Sequence, residues 1–494
     1  MELQKLLAGT DIAAITGPTS VDIASIECDS RKVIPGGIFF ALHGAKLEGA
    51  QFVRDALTRG VVAVASEAQK PADFAAEAAW IQLAPGTDRR GLAQAAANFY
   101  GHPADALKLV GVTGTNGKTT TTYLIDSILH AAGRTTGLIG TTGYRTPKGQ
   151  RDAANTTPEP VELQRIFAEI RDAGGTNATL EASSHALAMD RLWGCQFAVA
   201  IFTNLTRDHL DYHQTFDAYF AAKRRLFAGT GAGAPDVAVI NGDDSYGAEL
   251  KGLAHSTLTY GLKASADLAP KKFALSPAGL EFTAETPNGD VNVRSPLVGR
   301  MNAYNILAAI GAGVGLGIPI EQIEQGVSQL AAVPGRFESI DEGQPFLLVV
   351  DYAHTDDALR NVISTAREVS ASVRIITLFG AGGERDRTKR PLMGEAAGSL
   401  SDLVVLTSDN PRSEDPLRII NDVVVGLQKV NANYRVEPDR EQAIALAIDA
   451  AQPGDIVILA GKGHEAYQVL RNGSIEFDDR EKARSILRRK GYGK

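Results

Sequence analysis

Short apolar runs recur through most of this chain, and each gives way at once to a polar or glycine-rich loop. Leu109-Val110-Gly111-Val112 leads into Gly114-Thr115-Asn116-Gly117-Lys118-Thr119, and Val237-Ala238-Val239-Ile240 into Asn241-Gly242-Asp243. Residues 346–350 lead into Asp351-Tyr352-Ala353-His354, and 373–379 into Gly380-Ala381-Gly382-Gly383. Leu403–Leu406 leads into Ser408-Asp409-Asn410, and 456–459 into Gly461-Lys462-Gly463-His464. Runs this short and this apolar suit strands covered on both faces. Parallel sheets of that kind carry ligand loops at their carboxyl ends. The pattern predicts an α/β chain.

The 494 residues suggest about three domains. Ala84-Pro85-Gly86 reads as a linker, and Pro334-Gly335 ends a glycine-rich helix before a fresh strand–helix series. The expected domains are therefore 1–87, 88–335 and 336–494. A charge of −8 argues against a dedicated nucleic-acid binder. The 44% hydrophobic and 22% charged fractions exclude a disordered chain or a coiled coil. Cys28 and Cys195 are too few and too far apart for a metal site or a disulfide framework, which suits a reducing cytoplasm. The first residues do not read as a signal peptide. Residues 301–320 carry no charge, but they hold Asn302, Tyr304, Asn305 and Pro319 and read as a buried helix, with no membrane insertion. The 50 glycines follow no repeat and should mark loops and close approaches.

Strand, Gly-x-x-Gly-Lys-Thr and helix in that order make a phosphate loop. Backbone N–H groups of Gly114, Thr115, Asn116 and Gly117 wrap phosphate oxygens, and the helix N-terminus adds positive dipole. Lys118 would reach the β- and γ-phosphates, and the Thr119 hydroxyl would bind Mg²⁺. Val112 stands where the usual loop begins with glycine. ATP or another nucleoside triphosphate is the expected ligand.

Downstream, Glu181-Ala182-Ser183-Ser184-His185 follows an apolar stretch, so Glu181 reads either as a Mg²⁺ ligand or as a surface or capping carboxylate. The segment from Asn204 to His213 is dense in ionisable groups, including Asp208 and His209, and suggests a site. By spacing alone, Lys223-Arg224-Arg225 reads as a solvated helix face. Arg385 and Arg412 lie on strand-end loops, where guanidinium suits bidentate carboxylate recognition; an interdomain salt bridge is the other reading. Together these features describe an ATP-using enzyme with a carboxylate-bearing substrate read in the last domain.

The set Thr113–Thr119, Glu181–His185, Asn204…Asp208-His209, Asn302…Asn305, Pro334-Gly335-Arg336 and Asp351–His354, in this order, resembles the Mur ligase family. The replacement at Val112 is usual there. The resemblance implies an N-terminal UDP-binding α/β domain, a central P-loop ATPase domain with a parallel sheet and a C-terminal Rossmann-like domain. It implies ATP as co-substrate, Mg²⁺ as cofactor, and ligation of an amino acid to a peptidoglycan precursor through an acyl phosphate. Asn155-Thr156-Thr157-Pro158, Ser183 with Arg191, and Asp409-Asn410-Pro411-Arg412 are similar to those members that add meso-2,6-diaminopimelate to UDP-N-acetylmuramoyl-L-Ala-D-Glu. Diaminopimelate is lysine with a second carboxylate, which Arg412 suits.

The resemblance also assigns roles. The phosphate-loop residues Gly114 to Thr120, with Asn305, Arg336 and Asp351, would hold ATP. Thr119, Glu181, His209 and Lys223 would hold Mg²⁺, Lys223 as a carbamate, which replaces the solvated-face reading. Lys118, Glu181, His209 and Lys223 would form the catalytic set. Ser30, Asn155, Thr156, Thr157, Ser183 and Arg191 would hold the muramoyl-dipeptide, with the loop at Gly44-Ala45-Lys46 a further UDP candidate. Arg385, Asp409, Asn410, Pro411, Arg412, Gly461 and Glu465 would hold diaminopimelate. Two departures stand out: Met189 replaces a common polar residue, and Asp356 replaces a proline usual at the start of a helix. The expected protein is a cytoplasmic monomer. The alternatives are a folylpolyglutamate synthase-like ligase, a P-loop NTPase without ligase activity, and a non-catalytic nucleotide-binding regulator.

Overall fold

The computed structural model describes residues 1–494 except 45–47, 264, 277–278, 370–372 and 494. The first sheet orders its strands Ile12–Thr16, Ala79–Leu83, Ala63–Ser66, Ile38–Ala41 and Ile26–Glu27. Only Ile12–Thr16 runs antiparallel to its neighbour. The helix Asp88–Phe99 lays Leu92, Ala95 and Ala96 into the same core as Phe40, Ala65 and Ile81. The expected break at 87 therefore falls inside a packing unit. Pro85-Gly86 is only the turn into the helix that covers the first sheet.

The central sheet has eight strands, in the order Ser256–Tyr260, Val237–Asn241, Phe197–Phe202, Lys108–Thr113, Asn177–Glu181, Thr136–Gly140, Gly143–Thr146 and Gly149–Arg151. The first six are parallel, and the last two add an antiparallel hairpin edge. Alternate residues of Lys108–Thr113, Phe197–Phe202 and Val237–Asn241 enter different cores. Val110, Val112, Ile201 and Val239 pack against the helices Lys118–Ala131 and Arg300–Gly315. Leu109, Leu180, Phe202 and Ile240 pack against Leu163, Phe167, Leu226 and Phe227 on the other face. Burial on both faces is why these strands read as unbroken apolar runs. The uncharged stretch 301–320 contributes the buried helix Arg300–Gly315 and a turn into Ile320–Gln329; among the described residues no helix is long and apolar enough to cross a membrane.

A three-stranded antiparallel sheet, Ala269–Ser276, Gly279–Glu285 and Val291–Ser295, packs on the central unit. The last sheet orders Glu338–Ile340, Leu347–Asp351, Ile456–Ala460, Ile375–Phe379, Leu403–Leu406 and Tyr434–Val436, with all but the first pair parallel. Asp356 leaves the next helix intact: Asp356–Val369 starts there, and the Thr355 hydroxyl accepts the Ala358 N–H.

Candidate functional site

Strand Lys108–Thr113 lies between Phe197–Phe202 and Asn177–Glu181. Its loop therefore meets the loops that carry Asn204 and Glu181. The Thr115 N–H donates to the Asn204 carbonyl at 2.9 Å, and the Asn116 N–H to Asn204 Oδ1 at 2.9 Å. Gly114 and Gly117 have φ of 147° and 87°. A Cβ on Gly114 would stand 1.9 Å from Thr203 Oγ1, and one on Gly117 would stand 2.4 Å from Asn305 Oδ1. Only glycine closes this loop.

The loop borders a cavity of about 240 Å³, lined also by Lys118, Thr119, Thr120, Glu181, Ser183, His209, Lys223, Asn305, Arg336 and Asp351. Two amines converge on the Gly114 carbonyl: Lys118 Nζ donates at 3.0 Å and Lys223 Nζ at 2.8 Å. Lys223 is fully buried, 4.3 Å from the centre of the Tyr219 ring. Burial, and then the charge of Lys118, holds its amine well below the ordinary lysine range. Burial lowers Lys118 as well. Glu181, buried at its strand end, accepts the Thr141 N–H at 2.9 Å and the Thr141 hydroxyl at 3.0 Å. The His209 ring stands 3.4 Å from Asp208, and desolvation in the cleft holds its imidazole below the ordinary histidine range against that carboxylate's pull. Its ring meets His185 edge-on, 4.8 Å between centres.

A second cavity, of about 540 Å³, is lined by Asn155, Thr156, Arg385, Asp409, Asn410, Arg412, Gly461 and Glu465 among others. The two cavities share Thr141, Thr156, Asp208, His209, Tyr352 and His354. The phosphate loop and the arginine-bearing loops of the last sheet thus open onto one continuous cleft. Contacts cross it: Arg336 donates to Thr119 Oγ1 at 2.9 Å, Asn116 Nδ2 to Asp357 Oδ2 at 2.6 Å, and His464 Nε2 to the Thr141 carbonyl at 3.1 Å.

Comparison with known proteins gives three successive matches along the chain. The model of the Mur ligase family catalytic domain matches residues 22–101, that of the Mur ligase middle domain 112–313, and that of the Mur ligase glutamate ligase domain 335–463. A UDP-N-acetylmuramoyl-L-alanyl-D-glutamate–2,6-diaminopimelate ligase of Solibacter usitatus is 52% identical, with 100% of this chain and 99% of that protein covered. The chain belongs to the Mur ligase family. A protein of the same name from Geobacillus thermodenitrificans is 43% identical, with 99% of each chain covered. A solved structure of such a ligase is 35% identical, with a TM-score of 0.67 and 99% of each chain covered. Folylpolyglutamate synthase of Mycobacterium tuberculosis, complexed with ADP and AMPPCP, shares the fold at 17% identity and a TM-score of 0.62, over 83% of this chain and 96% of that one.

Within this family member, some expected residues support the cleft rather than line it. Thr157 is buried, and its hydroxyl donates to the Glu181 carbonyl at 2.6 Å. Arg191 donates to the Thr157 carbonyl at 2.8 Å and pairs with Glu159 at 2.5 Å. Both hold the 155–159 loop. Pro411 lines neither cavity; its carbonyl backs onto Gly383, where a Cβ would approach to 2.0 Å. Ser30 is buried in the first domain, on the turn Ser30–Lys32, and lines neither cavity. Of the Gly44-Ala45-Lys46 candidate, Ala45 and Lys46 lie outside the described residues.

The cleft is also lined by residues to which the sequence assigned no ligand. Asp208, Tyr352 and His354 line both cavities, while Lys389, His464 and Tyr467 line the second. Tyr352 and His354 stood in a recognised motif, and His464 sat between two assigned residues. Lys389 and Tyr467 carried no signal beyond their distance from the strand ends.

Proposed function

We propose that this chain is an ATP-dependent ligase. It joins meso-2,6-diaminopimelate to the D-Glu γ-carboxylate of UDP-N-acetylmuramoyl-L-Ala-D-Glu in peptidoglycan precursor synthesis. The observation that carries this reading is the continuity of the two cavities through Asp208 and His209. A carboxylate activated at the phosphate end is within reach of an amine held at the arginine end.

Phosphoryl transfer needs positioning and charge stabilisation more than covalent help from the protein. Lys118 takes the γ-phosphate, the Thr115 and Asn116 N–H groups being engaged by Asn204, while Asn305, Arg336 and Asp351 take the rest of ATP. The transferred group gives an acyl phosphate on D-Glu and leaves ADP. The amine of diaminopimelate attacks that carbonyl, a tetrahedral intermediate forms, and phosphate departs. Arg385 and Arg412 offer a carboxylate partner; Asp409 and Glu465 offer an ammonium partner. Such a set suits the amino-acid end of diaminopimelate that does not react.

The donor set suits Mg²⁺. Glu181 would supply carboxylate oxygens and Thr119 a hydroxyl, with His209 on the same cavity. Mg²⁺ bound there would neutralise phosphoryl charge. Burial favours the neutral amine of Lys223, the form that carbon dioxide captures, and its carbamate would add an oxygen donor. The first domain takes the UDP moiety, with Ser30 among its contacts, and Asn155, Thr156 and Ser183 face the muramoyl-dipeptide. The chain acts as a cytoplasmic monomer; two distant free thiols support the compartment.

Mass spectrometry of the product tests this reading. With ATP, Mg²⁺ and both substrates, the expected product is the muramoyl-dipeptide plus diaminopimelate less one water. Failure to form that product with all four present overturns it.

A further inference from the structure

Lys462 belongs to the Gly461–Glu465 loop yet lines neither cavity. Its side chain is completely buried. The ammonium donates to Asn410 Oδ1 at 3.3 Å and to Glu465 Oε2 at 3.2 Å. An ammonium has donors only, so the oxygen of the Asn410 amide must face it. The Val469 N–H reaches the same oxygen at 2.9 Å. With its oxygen held twice, the amide can turn only its NH₂ toward Glu465 Oε2, 3.0 Å away. Glu465 is held on its other oxygen by the Tyr352 hydroxyl at 3.3 Å. Asn410 and Glu465 both line the second cavity.

We propose that Lys462 is a positioning residue for the amino-acid substrate, acting through Asn410 and Glu465, which it orients from behind the cavity wall. The inference rests on the reading of the second cavity as the amino-acid site. Without Lys462, the Asn410 amide oxygen keeps the Val469 N–H alone, and Glu465 loses the cation hydrogen-bonded to it. An ammonium on the substrate then meets a carboxylate held by Asn410 and Tyr352 without its charged partner.

The test is steady-state kinetics of Lys462→Met in the full chain, with each of the three substrates varied in turn. The KM for meso-diaminopimelate should rise at least about tenfold, the cost of one lost charged hydrogen bond. The KM values for ATP and for the muramoyl-dipeptide should stay within about twofold of the unsubstituted chain. In a Glu465→Gln background the same change should add clearly less than about tenfold, because one of its two routes is already broken. A uniform rise in all three KM values overturns the proposal, as does full additivity with Glu465→Gln. Lys462→Gln keeps one donor for Asn410 and is the second variant if methionine gives no folded protein. It should show a smaller rise confined to the same KM, and an unchanged KM overturns the proposal. If the unsubstituted chain itself releases no phosphate in response to meso-diaminopimelate, the amino-acid reading fails before Lys462 is tested.

Discussion

Arg412 has φ of 55°, a costly conformation for a side chain with a Cβ. Its backbone is held there by an N–H bond to the Val469 carbonyl at 3.1 Å. Its guanidinium donates to the carbonyls of Gly383 and Asn410 at 2.8 and 3.3 Å, which leaves further donors for a ligand carboxylate. Arg412→Ala should therefore raise the KM for meso-diaminopimelate by about thirtyfold or more, a loss of roughly 2 kcal/mol, with the KM for ATP nearly unchanged. Equal losses in both contradict the role. Lys223 is the other decisive side chain. Lys223→Ala should lower kcat on the order of a hundredfold or more, and added formate or acetate should restore part of it. Full activity in the variant removes Lys223 from the site. At this scale the sequence was most informative where chemistry demands one residue type, as at Gly114, Gly117, Lys118 and Glu181. Thr157 and Arg191 carry no such demand: their polar groups bond to backbone carbonyls. Nothing in a one-dimensional string separates a side chain that meets ligand from one that meets the loop behind it.

At the scale of elements, the strands were legible because burial on both faces makes them uniformly apolar. The strand Gly279–Glu285 was not: Leu280, Phe282 and Ala284 point inward while Glu281 and Glu285 are exposed. That alternation breaks no run because it never makes one. Long-range devices were invisible too. Arg440 and Asp479, both completely buried, form a bidentate pair, and Arg440 also donates to the carbonyls of Ser408 and Ala460. It thereby ties together the two strand ends from which the Asp409 and Gly461 loops depart. The helices Lys389–Leu400 and Pro416–Lys429 meet backbone to backbone. A Cβ on Gly426 would stand 1.8 Å from the Pro391 carbonyl oxygen, and one on Gly394 would stand 2.3 Å from that of Val423. Gly426→Ala should force the helices apart and cost about 1–3 kcal/mol in urea-induced unfolding. No loss of stability would show that the helices have room to spare. The same separation would move Arg390, which anchors the Gly382 carbonyl at 3.2 Å, so the KM for diaminopimelate should rise as well.

At the scale of the whole molecule, the site exists only where the central and last sheets face each other. His464 is one of the groups that span the gap. Burial, with Arg336 adding to it, holds its imidazole down to about 4. The unfolded chain protonates this residue below its ordinary value near 6.5, and the folded chain does not until about 4. Stability that depends on His464 is therefore complete above that ordinary value and lost as pH falls through the window. His464→Gln should shrink the drop in thermal midpoint between pH 7.5 and 5 relative to the unsubstituted chain. An undiminished drop would mean that His464 is not held neutral. The three-part organisation was legible from length and turns, but the place of the first break was not. The segment Ala84-Pro85-Gly86 looks like a linker by composition, yet the helix beyond it covers the first sheet. Whether a turn separates domains depends on what the next helix packs against.

The central claim is that one cleft couples ATP cleavage to the arrival of a particular amino acid. Phosphate release is its most direct measure, with ATP, Mg²⁺ and UDP-N-acetylmuramoyl-L-Ala-D-Glu present and the amino acid varied. Sustained release is expected with meso-diaminopimelate, much slower release with L-lysine, and almost none without an amino acid or without the muramoyl-dipeptide. Release at the same rate in all of these mixtures would contradict the account.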